Sequence, residues 1–207
     1  RYPGSHAISL PETNKEKYPA KDIVNKYYWR DPLYIKAAFG KFQNKKAAGL
    51  DTFKPDLLKK LPISMLRILS VLYSASITLG YVPINWRISK VIFIQKPDKD
   101  DYSNVRSWRP ISLMPFNFKA LERLILWHLH ETTLKTNPLS NRQFGFQHGK
   151  SCDHALSLVV TNIEESILNK KLTIGIFLDI EGAFDNLDPE SVIDALKERN
   201  APDYLVR

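Results

Sequence analysis

The segment 172–185 constrains this chain more than any other. Its even positions Leu172, Ile174, Ile176, Leu178 and Ile180 are aliphatic, and its odd positions run Thr173, Gly175, Phe177 and Asp179. Successive side chains of a strand point to opposite faces, so the pattern predicts a strand with a greasy floor for helices on one face. The other face ends in Asp179 at the strand's carboxyl end, just before a Gly182-Ala183 turn where backbone can approach a ligand closely. A carboxylate so placed suits a hard divalent cation such as Mg²⁺, which takes oxygen ligands and often holds substrate phosphates as well. Asp also simply opens turns, so the residues around it must decide between the two readings.

The rest of the chain predicts helices first and strands later. Asp31-Pro32 is a helix start, an N-cap followed by proline at the first helical position, and that helix carries Leu33, Ile35, Ala38 and Phe39 to about Gly40. A basic loop, 41–46, leads into Ala47-Ala48-Gly49-Leu50-Asp51. Met65, Ile68, Leu69 and Leu72 recur at helical spacing, with Gly80 as the stop. Residues 88–95 predict a strand, 96–107 a hydrophilic loop, and 109–113 a return strand. Leu121, Leu124, Ile125 and Leu129 mark an amphipathic helix, and a loop rich in Asn, Gln and Gly covers 137–149. A helix near 151–170 is striped by Ala155, Val159, Ile163 and Ile167, and Asp188-Pro189-Glu190 opens a last one through Val192, Ile193 and Leu196. Because strands and helices do not alternate strictly, the fold class expected is α+β.

Composition narrows the partners. The net charge is +8, and residues 1–60 hold 13 Lys+Arg against 6 Asp+Glu, so nearly all of the excess lies there. That fits a polyanionic partner. Cys152 is the only cysteine, which excludes a disulfide framework and makes a reducing compartment, nucleus or cytoplasm, the expectation. No apolar run approaches the roughly 18–20 residues of a membrane span, and Arg1-Tyr2-Pro3-Gly4 does not read as a signal peptide. His128, His148 and His154 lack metal-ligand spacing, and Ser151 and Cys152 lack the strand–turn setting of a nucleophile.

The string F-L-D-I-E-G-A-F-D resembles the first catalytic box of reverse transcriptases, in which an Asp is followed five positions later by an aromatic, here Asp179 and Phe184. RNA-copying RNA polymerases typically place a second Asp at that fifth position. Other segments, in order, resemble the non-LTR (LINE-like) retrotransposon branch. Lys46-Ala47-Ala48-Gly49-Leu50-Asp51 is similar to its extra amino-terminal box, though the family usually has proline at the positions of Ala48 and Leu50 and glycine at that of Thr52. Residues 91–96 with Ser107-Trp108-Arg109-Pro110-Ile111-Ser112-Leu113 resemble its fingers boxes. Residues 143–151 resemble the segment before the palm, with Gln147 where arginine is common.

The polar, proline-punctuated start (Pro3, Pro11, Pro19) predicts a mobile lead-in, taken to residue 30, and the resemblance implies a right-hand polymerase with 31–171 the fingers region and 172–207 the start of the palm. It implies deoxynucleotidyl transfer by a two-metal mechanism using Mg²⁺, with Mn²⁺ as a substitute. Asp179 would be catalytic and, with the Ile180 carbonyl, ligate metal. Lys96, Arg109, Gly182, Ala183 and Phe184 would bind the deoxynucleoside triphosphate, with Phe184 beneath the sugar. Gln143, Gly145 and Phe146 would contact the RNA template or DNA primer. Asp100-Asp101-Tyr102 reverses the order of the family's second box and is expected in an exposed loop. Residues 1–207 alone are expected to bind nucleic acid weakly without extending a primer, the remaining palm and thumb lying elsewhere in the polyprotein. The alternative is a non-catalytic nucleic-acid-binding remnant or an adapted retroelement protein.

Overall fold

A computed structural model describes residues 27–180 and 182–206. The proline-punctuated stretch 1–26, which holds most of the expected lead-in, lies outside the described residues. The lead-in does not extend to residue 30, because Tyr28 and Trp29 are buried core residues in a 3-10 turn, Tyr28–Arg30.

Helix α1, Pro32–Gly40, begins as its sequence dictates. The Asp31 carboxylate accepts a hydrogen bond from the Leu33 N–H at 2.9 Å, and Pro32 occupies the first turn. After the short α2, Pro55–Lys59, comes α3, Ile63–Leu79, which ends on Gly80 in the left-handed conformation (φ 60°). A single turn, α4 (Ile84–Arg87), precedes strand β1, Lys90–Gln95, and its antiparallel partner β2, Trp108–Leu113. Helices α5 (Phe116–Glu131) and α6 (Thr133–Thr136) follow, then α7 (Cys152–Leu168), α8 (Pro189–Glu198) and α9 (Asp203–Val206). The architecture is mixed helix and strand, with helices dominant. No described helix is long and apolar enough to cross a membrane.

The core lies where α1, α3 and α5 meet the 3-10 turn. Ile35, Ala38 and Phe39 from α1, Leu66 and Tyr73 from α3, and Leu121, Leu124 and Trp127 from α5 are all buried around Tyr28 and Trp29. Aromatic bulk supplies most of this burial, and such side chains remove the largest apolar areas from water. Tyr73 satisfies its hydroxyl by donating to the Asn117 carbonyl at 2.7 Å. Helix α3 departs from expectation in its face. Met65, Ile68 and Leu72 are exposed, whereas Leu69 packs half-buried against the core beside Leu66, Tyr73 and Ile77, with Ser70 and Ser76 buried between them. The sequence offers two apolar stripes on this helix, and the stripe with the larger aromatic residue and small serines fits the close approach of its neighbours.

The expected strand at 172–180 does not form. These residues adopt no regular secondary structure and pair with no strand among the described residues, and Leu172, Ile176 and Leu178 are 99%, 80% and 91% exposed. Among the described residues the only sheet is the β1–β2 hairpin. A strand needs a neighbour for its N–H and C=O groups, and none of the described residues supplies one. Helix α7 forms as expected, with Ser151 capping the His154 N–H at 3.2 Å, yet its stripe of Ala155, Val159, Ile163 and Ile167 is not buried.

The excursion from α6 to α9 is closed at its base. The Asn137 side-chain amide donates to the Arg199 carbonyl at 3.0 Å. Beyond it, the Tyr204 hydroxyl lies 2.8 Å from Nε2 of the buried His128. Tyr27, Tyr28, Trp29 and Tyr204 all place their rings within about 6 Å of that imidazole. Burial lifts the Tyr204 phenol to about 12 and holds His128 below its ordinary 6.5. With the folded value depressed, the unfolded chain binds the extra proton as pH falls below 6.5, and stability is lost down to the folded value. The midpoint of thermal unfolding should therefore drop more steeply below pH 6.5 in the parent protein than in His128→Gln. Parallel curves would show that His128 does not titrate with unfolding.

Candidate active site

The β1–β2 hairpin sorts its side chains into two faces. The register pairs Ile92 with Ile111 and Ile94 with Arg109, and the Lys96 N–H continues the ladder to the Ser107 carbonyl at 2.9 Å. Directly opposed residues share a face, so Lys96 and Arg109 stand on the same side as diagonal neighbours. Ile92, Ile111 and Leu113 on that side are half-buried, which gives the two cations a partly apolar floor. Lys96 Nζ donates to the Arg106 carbonyl at 2.8 Å, whereas Arg109 is exposed and has no ion-pair or hydrogen-bond partner for its guanidinium among the described residues.

The loop between the strands is built from its own side chains. Tyr102 donates to the Lys96 carbonyl at 2.8 Å, and Trp108 Nε1 donates to the Tyr102 carbonyl at 2.9 Å. The Asp101 carboxylate accepts from both the N–H and the hydroxyl of Ser103, at 2.8 and 2.9 Å, and this hydrogen bonding holds its pKa below the usual value. Asp100 and Asp101 are thus exposed loop residues, as expected.

Asp179 and Ile180 end the irregular segment 172–180, both exposed. The Asp179 carboxylate is thus on an exposed residue, and among the described residues no group of three His, Cys, Asp or Glu assembles a metal cage. The chain then turns. The Asn186 N–H donates to the Gly182 carbonyl at 2.8 Å, and Gly182 adopts φ 62°. That left-handed backbone explains the glycine, since a side chain there is strained. Ala183 and Phe184 ride on the turn, with Phe184 81% exposed. Asp188 caps α8 through the Glu190 N–H at 3.2 Å and is thereby engaged locally.

Phe146 meets Phe184 edge-on, ring centroids 6.5 Å apart and planes at 84°. The structure thus joins a residue expected at the template to one expected at the nucleotide. It does not join the hairpin to this turn: among the described residues no hydrogen bond, ion pair or ring contact links Lys96 or Arg109 to 179–184. Gln143 is turned onto its own loop, donating to the Gly145 carbonyl at 3.1 Å.

Lys150 was not foreseen as anything but part of a motif. Its ammonium donates to the carbonyls of Asn141 at 2.6 Å, Gln143 at 3.0 Å and Ser140 at 3.4 Å, and sits 5.4 Å from the Phe144 ring centroid. The Gln147 side-chain amide shares the Ser140 carbonyl at 2.9 Å. Three backbone oxygens converging on one cation fold the loop that presents Phe146, and only a threaded backbone reveals this. Charge-assisted bonds to carbonyls are stronger than neutral ones. Lys150→Met should therefore quicken amide exchange across 140–149 by roughly tenfold, the equivalent of ~1.4 kcal/mol, without altering α1, α3 or α5. Unchanged exchange would contradict this assignment.

The family profile described as reverse transcriptase (RNA-dependent DNA polymerase) matches residues 94–207, more than half of the chain. The chain belongs to the reverse transcriptase family. It is 34% identical over 173 residues to the RNA-directed DNA polymerase from mobile element jockey of Drosophila melanogaster, covering 83% of this chain and 19% of that protein. Over 154 residues it is 30% identical to the probable RNA-directed DNA polymerase from transposon BS of the same species, covering 74% and 17%. The jockey polymerase of Drosophila funebris is 33% identical over 189 residues, covering 89% and 20%. The chain spans about a fifth of the length of these relatives. The resemblance to mobile-element reverse transcriptases read from its motifs is therefore borne out.

Proposed function

We propose that residues 31–171 are the fingers, and 172–207 the beginning of the palm, of an RNA-directed DNA polymerase of non-LTR retrotransposon type. The observation that carries this reading is Asp179 five positions before Phe184, on an open segment and the turn that follows it, within a chain of the reverse transcriptase family. The intact protein would copy an RNA template onto a DNA primer with deoxynucleoside triphosphates. The lone Cys152 fits a working environment in nucleus and cytoplasm.

Mg²⁺ commonly uses one or two carboxylates together with waters and substrate phosphates. Asp179 and the Ile180 carbonyl fit part of such a set by their chemistry, and both residues are exposed. When bound, such ions lower the barrier to phosphoryl transfer by stabilising developing charge on the attacking and leaving oxygens.

The chain's own groups do the rest of the work. Arg109 offers a planar fork to the triphosphate, and Lys96 a point charge from the same hairpin face. On binding, Lys96 exchanges a neutral carbonyl for a charged phosphate oxygen, the stronger acceptor. The Gly182 and Ala183 N–H groups face the phosphates from the turn, where the absence of a side chain at Gly182 lets backbone come close. Phe184 lies beneath the incoming sugar, and Phe146, seated against it, stacks on template or primer. Gln143 and Gly145 shape the loop that presents Phe146.

The experiment is nucleotide competition in the full-length protein that carries this segment. It should extend a DNA primer on RNA with deoxynucleotides, and Phe184→Val should raise ribonucleotide incorporation at least about a hundredfold, because a clash worth ~3 kcal/mol is relieved. Unchanged sugar selectivity would remove Phe184 from the nucleotide site. Nucleic-acid binding with no incorporation would favour the non-catalytic reading instead.

A further inference from the structure

Gly49 is buried and its φ lies outside the left-handed region, so conformational freedom does not explain it. Space does. A Cβ at this position would stand 3.0 Å from the Leu113 carbonyl oxygen, 3.0 Å from the Pro115 nitrogen and 3.1 Å from the Met114 carbonyl carbon. All three are backbone atoms. Together they form the junction through which β2 leaves the hairpin and α5 begins, Pro115 being the N-cap of that helix.

The junction has little room to yield. On one side β2 is held in six-residue register with β1. On the other, Phe116, Ala120 and Leu121 are locked into the core. Gly49 itself is held in a compact turn, its carbonyl accepting the Thr52 N–H at 3.2 Å and the Asp51 carboxylate accepting the Phe53 N–H at 3.3 Å. Closely packed interiors transmit such strain, so an added methyl must tilt the hairpin about its exit. Arg109 stands four residues before Leu113, about 13 Å along the strand at ~3.3 Å per residue, and a small tilt at the junction is magnified there.

We propose that Gly49 is a positioning residue: the close seat of the 47–51 turn against the β2–α5 junction sets the angle of the hairpin and so places Arg109 for the triphosphate. The assignment rests on the proposed nucleotide role of Arg109. Misplacement of about 1 Å at a reacting group can cost up to ~100-fold, and a partial effect is expected from one methyl.

The test is single-nucleotide incorporation by the full-length protein on a fixed RNA–DNA primer–template, with Gly49→Ala, Arg109→Ala and the double variant. Gly49→Ala should raise KM for nucleotide roughly tenfold and leave primer–template affinity unchanged. In the Arg109→Ala background it should change KM by less than about twofold, because the group it positions is gone. A fall in kcat alone, or an effect that adds fully to that of Arg109→Ala, would overturn the proposal. Hydrogen exchange separates the proposal from the reading beneath it. Gly49→Ala should quicken exchange across 108–116 even if Arg109→Ala leaves nucleotide KM untouched, an outcome that would sink the triphosphate role alone. Exchange there equal to that of the parent protein would overturn the seat itself. Should Gly49→Ala fail to fold, Asp51→Ala loosens the same turn without adding an atom and should shift exchange and KM in the same directions by a smaller factor.

Discussion

The packing of Tyr28, Trp29 and Trp127 between α1, α3 and α5 is the constraint on which the other parts hang. A three-helix core closed by aromatic rings tolerates little displacement, because its cohesion is the sum of many short contacts. The hairpin enters from α3 through α4 and passes into α5 through the junction Leu113 to Phe116, and the excursion that carries Asp179 returns to the core through Tyr204. Both candidate halves of the site are therefore connected to one aromatic core. The residues proposed for the chemistry lie outside it, Asp179, Phe184 and Arg109 exposed and Lys96 half-buried.

That division matters for the chemistry proposed. The proposed triphosphate role asks for cations spaced on one platform, and the two-stranded hairpin carries Lys96 and Arg109 on one face. Metal-assisted transfer asks instead for a carboxylate that remains open to ions and phosphate, and Asp179 is open. The Phe146–Phe184 contact links the two loops from which template and sugar would be felt. Lys150 holds one of those loops, and Gly182 shapes the other.

Helix ends and the hairpin were legible in the sequence because they depend on neighbours in the chain. Asp31-Pro32, Gly80 and Asp188-Pro189 all cap as their residue types require. The inward face of α3 was not legible, since two apolar stripes on one helix are equivalent until a partner is known. The strand at 172–180 failed for a related reason: alternation specifies which side chains share a face but cannot supply the neighbouring backbone. Thr52, in a left-handed conformation (φ 59°) where the family resemblance leads one to expect glycine, shows a backbone demand outlasting the residue that best meets it. The chemistry-bearing positions Asp179, Phe184, Lys96 and Arg109 were read from motifs, whereas the contacts of Lys150 and Gly49 are long-range backbone approaches with no local signature.

The claim that most of this rests on is that Asp179 is the carboxylate around which nucleotide transfer is organised. The direct measurement is primer extension on RNA by the full-length protein and its Asp179→Asn form, in Mg²⁺ and in Mn²⁺, with primer–template binding followed in parallel. Loss of a metal-ligating charge should lower incorporation by about a thousandfold or more, several kcal/mol of barrier, while nucleic-acid binding stays within about twofold because phosphate contacts come from other residues. Extension by Asp179→Asn at close to the parent rate in either metal would contradict the account.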